Sequence, residues 1–421
     1  MTKKLNKISL IFFVIYTFCF AKHNGDYLHK ITTKYITEHL NWAKPLEKGK
    51  IKCLFLVPRH GAREVVELWQ RLDIEFESFT AWWQGQIAVE DMYEGAIEGT
   101  TNREKNTEII SKLEKDYDVI IVSISFDILP AEARYKIFEK VYNGTSIIFL
   151  NPNNNIDRVY KKVFVEKIDA SDAFLNTPAE GIPSLGNNFF RGYKYGNGRI
   201  LIMKGGAQGG WSGYYGGTSL TVPEKYSRFW KSHYENNMVA IAKAVMWASK
   251  RDPIFLIKNL NFKNGDKFIQ TELPRELKFG ITGDKNKIVN VNLRLRDEWN
   301  EIIDEKMINT KIDEGGKQIF YNLPFLKQGN FYLDFIIYNE KKNIENFGFF
   351  TFSVDSPIGK VNIATEKDWY DKDEKIKGVV ELENPLKEKK EIVIKIVDSP
   401  NKKIWVKKTY LIEPEQKKFE F

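Results

Sequence analysis

The 421 residues carry 43% apolar and 14% aromatic side chains, and single cores stop growing near ~250–300 residues, so two or three domains are expected. The net charge of +8 comes from 64 basic and 56 acidic residues dispersed along the whole length. No stretch reaches the basic density that a phosphate backbone requires, which excludes nucleic acid as an expected partner.

At the amino terminus Lys3, Lys4 and Lys7 precede an apolar run from Ile8 to Phe20, and Cys19-Phe20-Ala21 offers a cleavage site. This three-part pattern is a signal peptide, residues 1–21, expected to be cut after Ala21. The run falls short of the roughly 20 residues of a spanning helix, so no membrane span is expected in the mature chain. The expected location is exported: periplasmic, cell-surface or extracellular. An uncleaved anchor is the alternative; lipidation at Cys19 is opposed by the bulky Tyr16-Thr17-Phe18. Loss of Cys19 leaves Cys53 as the sole thiol, which excludes an internal disulfide and a cysteine-based zinc site.

Residues 22–49 form a lead-in, with a helix expected over Tyr27 to Trp42 from the spacing of Leu28, Ile31, Tyr35, Ile36 and Leu40. From Ile51 strands alternate with helices. The continuous apolar run Lys52 to Val57 reads as a strand buried on both faces, and Ala62 to Leu72 has helical spacing. A strand over Ile74–Trp82, a helix over Arg103–Lys115 and strands at Val119–Ser123 and Ser146–Leu150 follow, with a helix over Pro130–Tyr142 between the last two. A hairpin turning at Gly196-Asn197-Gly198 and an apolar helix over Tyr234–Lys250 complete residues 50–252. The expected fold is an α/β doubly wound parallel sheet.

Beyond Pro253 the pattern is all-β. Val289, Val291, Leu293 and Leu295 alternate with Asn290, Asn292, Arg294 and Arg296, as in a strand with one wet face. Phe331, Leu333, Phe335 and Ile337 repeat the period. Residues 253–355 fit a seven-strand immunoglobulin-like sandwich of about 100 residues. The 66 residues of 356–421 are too few for a second complete sandwich. The remaining strands are expected from further chain beyond Phe421 or from a partner.

Four stretches carry a family resemblance: Val57-Pro58-Arg59-His60-Gly61-Ala62-Arg63 with Glu64 to Leu68; Tyr117-Asp118-Val119-Ile120-Ile121 with Leu129-Pro130; Tyr195 to Ile200; and Ala242 to Ala248. Over about residues 40–252 the chain resembles the class I glutamine amidotransferase-like (flavodoxin-like) domains of large exported bacterial proteins, related to the trimerisation domain of bacterial β-galactosidases. The resemblance implies a binding or assembly element in a carbohydrate-related setting.

The chemistry of such an amidotransferase requires a cysteine on the sharp turn after a central strand, activated by a His and a Glu. Here the turn reads Ser123-Ile124-Ser125-Phe126-Asp127, and His233 is followed by Tyr234 and Glu235 in the wrong order. Ser125 lacks the Gly-x-Ser-x-Gly setting of a hydrolase elbow. Arg59-His60-Gly61-Ala62-Arg63 also resembles the phosphohistidine motif of histidine acid phosphatases, in which the His attacks and the arginines grip phosphate. None of the five histidines is followed by Asp, however, and Glu64 and Val65 stand where the motif has proline. No catalytic set, cofactor or metal site is therefore assigned.

Binding is expected at the carboxyl ends of the strands, where such sheets hold ligands. The candidates are Arg59, His60, Trp82, Trp83, Asp127 and Asn151, with Trp211, Tyr214 and Tyr215 on the glycine-rich loop 205–217. Aromatic faces among glycines suit a sugar ring, and an interface or lid loop is the competing role. The partners expected are a carbohydrate or a protein, with oligomers allowed; the alternative function is a hydrolase using the Arg59/His60 crevice.

Overall fold

The structure is a computed structural model that describes residues 36, 42–58, 62–81, 102–150, 156–170, 190–203, 230–262, 267–269, 275–297, 301–356, 358–359, 361–371, 374–398 and 403–421. The expected helix over Tyr27–Trp42 and the aromatic loop 205–217 lie outside these residues, apart from Ile36 and Trp42.

The first unit is a mixed seven-stranded sheet. In chain order it contains β1 (Ile51–Pro58), α1 (Ala62–Arg71), β2 (Ile74–Ala81), α2 (Asn102–Lys112), β3 (Val119–Val122), α3 (Ala131–Asn143), β4 (Ser146–Leu150), the short α4 (Ile156–Val159), β5 (Glu166–Ile168), β6 (Phe190–Tyr195), β7 (Gly198–Met203) and α5 (Trp230–Ala248). The strand order is β2-β1-β3-β4-β7-β6-β5. The first five of these run parallel, and β6 and β5 add an antiparallel edge.

Side chains of a strand alternate between its two faces, and β1 shows both faces buried. Cys53, Phe55 and Val57 join the residues of α1 and α5 in one apolar cluster. Leu54 and Leu56 join Ile109 of α2, Leu113 just beyond it, and Ala133, Ile137 and Val141 of α3 in another. This explains the continuous apolar run in the sequence. Pro130 caps α3 without a helical N–H to satisfy, and Gly144 ends it at φ 127°. The β6–β7 hairpin turns at Gly196-Asn197, where Gly196 has φ 58° and an added Cβ would lie 2.2 Å from the Tyr142 carbonyl oxygen.

The second unit is a β-sandwich. It comprises β8 (Leu256–Phe262), β9 (Lys267–Ile269), β10 (Glu276–Thr282), β11 (Ile288–Asp297), β12 (Ile302–Lys311), β13 (Lys317–Asn322), β14 (Gly329–Tyr338) and β15 (Ile344–Asp355). Sheets of order β13-β10-β8 and β12-β11-β14-β15-β9 face each other. Leu277, Phe279 and Ile281 of β10 pack there with Val289, Val291 and Leu293 of β11. Among the described residues there are eight strands where seven are expected from the sequence. The three-residue β9, too short to show a period, pairs in parallel with β15.

Residues 356–421 build a smaller two-layer module of β16 (Val361–Thr365), β17 (Gly378–Leu382), β18 (Lys390–Asp398), β19 (Lys403–Ile412) and β20 (Lys418–Glu420). Sheet β16-β17-β20 packs on hairpin β18-β19 around Val380, Leu382, Ile412 and Phe419.

The α/β unit and the sandwich share one core. Tyr332, Ile336, Ile344, Phe347 and Phe349 of the five-stranded sheet belong to the same apolar cluster as α1 and α5. Residues 42–49 bind the two together: Trp42 stacks on Phe347 with centroids 6.5 Å apart, Ala43 bridges to Leu72, and Leu46 bridges to Ile344. At the crossover Arg251 donates to the carbonyl oxygens of Lys48, Gly49 and Lys50, while Arg199 grips Asp252 through two hydrogen bonds of 2.8 Å.

This shared core corrects one expectation. Arg294 and Arg296 were assigned to a wet face from their alternation, yet Arg296 is fully buried. Alternation reports only that two faces differ, and here the polar face of β11 is covered at its Arg296 end. The guanidinium of Arg296 lies 4.5 Å from the Tyr332 ring centroid and 5.7 Å from that of Phe349. Its charge is matched by Asp334, also buried.

Candidate functional site

The parallel strands place their carboxyl ends on one edge of the sheet: Pro58 pairs with Ala81, Leu56 with Val122, Val122 with Phe149, and Leu150 with Met203. Of the binding candidates, Arg59, His60, Trp82, Trp83, Asn151, Trp211, Tyr214 and Tyr215 lie outside the described residues; Asp127 lies within them.

Asp127 sits in a 3-10 turn, Phe126–Ile128, that follows β3. The turn is anchored by Phe126, whose ring meets Phe138, Phe149 and Tyr160 edge-on at centroid distances of 5.3, 5.3 and 5.7 Å. The Asp127 carboxylate lies 3.6 Å from Arg134 of α3 and accepts a 3.5 Å hydrogen bond from the Tyr160 hydroxyl. Arg134 in turn donates to that hydroxyl at 3.0 Å. The three side chains brace the turn against α3 and the segment after α4. Asp127 remains exposed and can still accept from a ligand, but its described contacts are those of a strut.

The turn after β3 begins with a hydroxyl that is already engaged. Ser123, the first residue after β3, is buried; its backbone N–H and its hydroxyl both donate to the Leu56 carbonyl oxygen, at 2.9 and 3.3 Å. A hydroxyl held this way points into the sheet and faces no substrate. Cys53 is the third residue of β1 and is fully buried. At about 3.3 Å per residue it stands roughly 17 Å from the carboxyl end of its strand. Burial, and secondarily the Asp118 carboxylate, pushes its thiol far above the ordinary range. A thiol so placed is packing material. Cys53 should accordingly react with a thiol-specific reagent at least ~10³-fold more slowly in the native protein than in denaturant; rapid native labelling would contradict this placement.

Sequence reasoning missed the polar groups buried between the units. Lys243 on α5 is enclosed, donates to Asn346 Oδ1 of β15 and lies 4.5 Å from the Phe347 ring centroid. The sole sequence signal is a lysine inside the apolar run Val239–Ala248. Among the described residues no group of three or more His, Cys, Asp or Glu side chains could hold a metal ion, and no helix is long and apolar enough to cross a membrane.

No protein-family model and no curated protein matches the chain. Among solved structures, a protein described as ThuA-like from Parabacteroides merdae is similar over 48% of this chain and 90% of its own, at 11% identity and a TM-score of 0.25. The CARDB domain of a Pyrococcus furiosus protein matches over 24% of this chain and 89% of its own, at 12% identity and a TM-score of 0.18. A family 76 glycoside hydrolase from a Bacteroides thetaiotaomicron strain matches at 14% identity and a TM-score of 0.17, over 24% of this chain and 20% of its own length. This chain thus spans about a fifth of that hydrolase, and likeness at this level assigns neither a family nor an activity.

Proposed function

We propose that the chain is an exported, non-catalytic binding or assembly protein in which a doubly wound, amidotransferase-like unit is fixed to immunoglobulin-like modules. The observation that carries this reading is the continuous apolar core joining α1 and α5 to β14 and β15. A unit that must open and close over a substrate is usually left hinged, whereas a core shared through Trp42, Phe347 and Lys243 holds two units at a fixed angle, as a presenting or assembling element requires. The order β2-β1-β3-β4-β7, with helices packed on both faces, supports the doubly wound reading. The buried Cys53 and the engaged Ser123 support a lack of glutaminase chemistry. The signal pattern at residues 1–21 supports export, and the carbohydrate setting rests on the family resemblance and the aromatic loop.

Assays with glutamine and with phosphate monoesters should give no turnover above that of His60→Ala, and a glycan array should show binding that is lost in Trp211→Ala. Turnover abolished by His60→Ala would replace this reading with the hydrolase at Arg59/His60. A blank array would remove the carbohydrate ligand.

A further inference from the structure

The carboxyl-terminal module leaves part of its own interior face in water. Residues directly opposite in an antiparallel pair share a face, and Val361 and Ile363 of β16 stand opposite Leu382 and Val380 of β17. Leu382 and Val380 are buried beneath the β18-β19 hairpin, yet Val361 and Ile363 on the same face are 42% and 57% exposed. Two strands cannot cover three. Tyr410 of β19 packs on Phe419 of β20 at 5.9 Å, so the hairpin sits toward the β20 side and β16 lies beyond its cover. Trp369, four residues past the end of β16, is likewise an exposed large apolar side chain. Beside it run Glu366, Asp368 and Asp371, in a stretch of nine residues, 366–374, that holds five acids against two lysines.

The outer face of the hairpin has the opposite character. Its cross-strand pairs there are Glu391 with Leu411, Val393 with Thr409 and Lys395 with Lys407. Val393 and Leu411 are exposed apolar side chains. Lys395 and Lys407 are exposed and directly opposed, and neither makes an ion pair among the described residues. Like charges in this position repel and weaken a hairpin. Among the described side chains of that face the charged ones are Lys395 and Lys407 against Glu391. The module therefore has an apolar stripe with an acidic border on one side and an apolar face with a basic border on the other.

We propose that the two surfaces dock on each other between copies of this chain: the β18-β19 outer face of one copy covers Val361, Ile363 and Trp369 of the next, with Lys395 and Lys407 against Glu366 and Asp368. The contact is heterologous, so it repeats head to tail and builds rings or open chains of copies rather than a two-fold dimer. It does not depend on whether the α/β unit binds a sugar.

Sedimentation velocity on the full chain over a wide concentration series tests this. The parent should form dimers and longer species, and association should weaken about tenfold between ~0.05 M and ~0.5 M salt. Ile363→Lys alone and Lys395→Glu/Lys407→Glu alone should each be monomeric; mixed, they should form a one-to-one dimer that grows no further, since each keeps one working surface. Ile363→Thr, which keeps a strand former, serves if the lysine disturbs β16, and circular dichroism checks the fold of every variant. A parent that stays monomeric, a variant that still associates alone, or a folded mixture that stays monomeric would each overturn the proposal.

Discussion

Replacing Lys243 with methionine is expected to stabilise the protein, most strongly near pH 6 and hardly at all by pH 10. The ammonium is buried between α5 and β15 and makes no ion pair among the described residues; burial pushes its pKa down from 10.5 to about 7. Between those two values the unfolded chain holds a proton that the folded protein has released, so stability rises with pH across that window. Below about 7 the folded protein carries the buried charge and the penalty is fully developed. At 1.36 kcal/mol per unit the shift corresponds to a ceiling of about 5 kcal/mol, from which the lost hydrogen bond to Asn346 subtracts about 1 kcal/mol. Asn346 Oδ1 would keep the Phe347 N–H as a donor at 2.8 Å, and its amide would keep the Phe255 carbonyl at 2.6 Å. Denaturant midpoints of parent and variant from pH 6 to 10 check this; a gap that does not change with pH would place the Lys243 charge in water.

Removing the Asp334 carboxylate should have an effect of similar size and opposite sign. Asp334 accepts from Arg296 Nε at 2.9 and 3.1 Å and from Arg294 Nε at 3.2 Å, and both Asp334 and Arg296 are buried. Asp334→Ala leaves the Arg296 guanidinium enclosed without its carboxylate, which costs about 3–5 kcal/mol in comparable buried pairs. Replacing both groups, as Arg296→Met with Asp334→Leu, removes the unmatched charge and should recover most of that loss. Chemical denaturation of the single and double variants measures the difference. A single variant within about 1 kcal/mol of the parent would mean that water reaches the pair.

The buried charges and the binding candidates mark where sequence and structure part. Local pattern determined β1, α1, β3 and β4, because a strand covered on both faces must be apolar throughout and a helix must show its period wherever it lies. The Gly196-Asn197 turn was legible for the same reason: only glycine tolerates both that φ and the approach of the Tyr142 carbonyl. Sequence also showed that Cys19 and Cys53 are the two cysteines, and that the residues after β3 include no cysteine. Local pattern could not show what covers a face. Arg294 and Arg296 alternate with apolar residues just as solvent-facing residues do, and only the tertiary structure sets the Tyr332 and Phe349 rings and the Asp334 carboxylate around a buried Arg296. Lys243 reads as an irregularity in an apolar helix until Asn346, 103 positions away, supplies its acceptor. The exposure of Val361 and Ile363 also depends on packing: they share a face with the buried Leu382 and Val380, and the two-strand width of the β18-β19 sheet leaves them uncovered. Burial depends on which distant surfaces meet, and tertiary structure alone decides that.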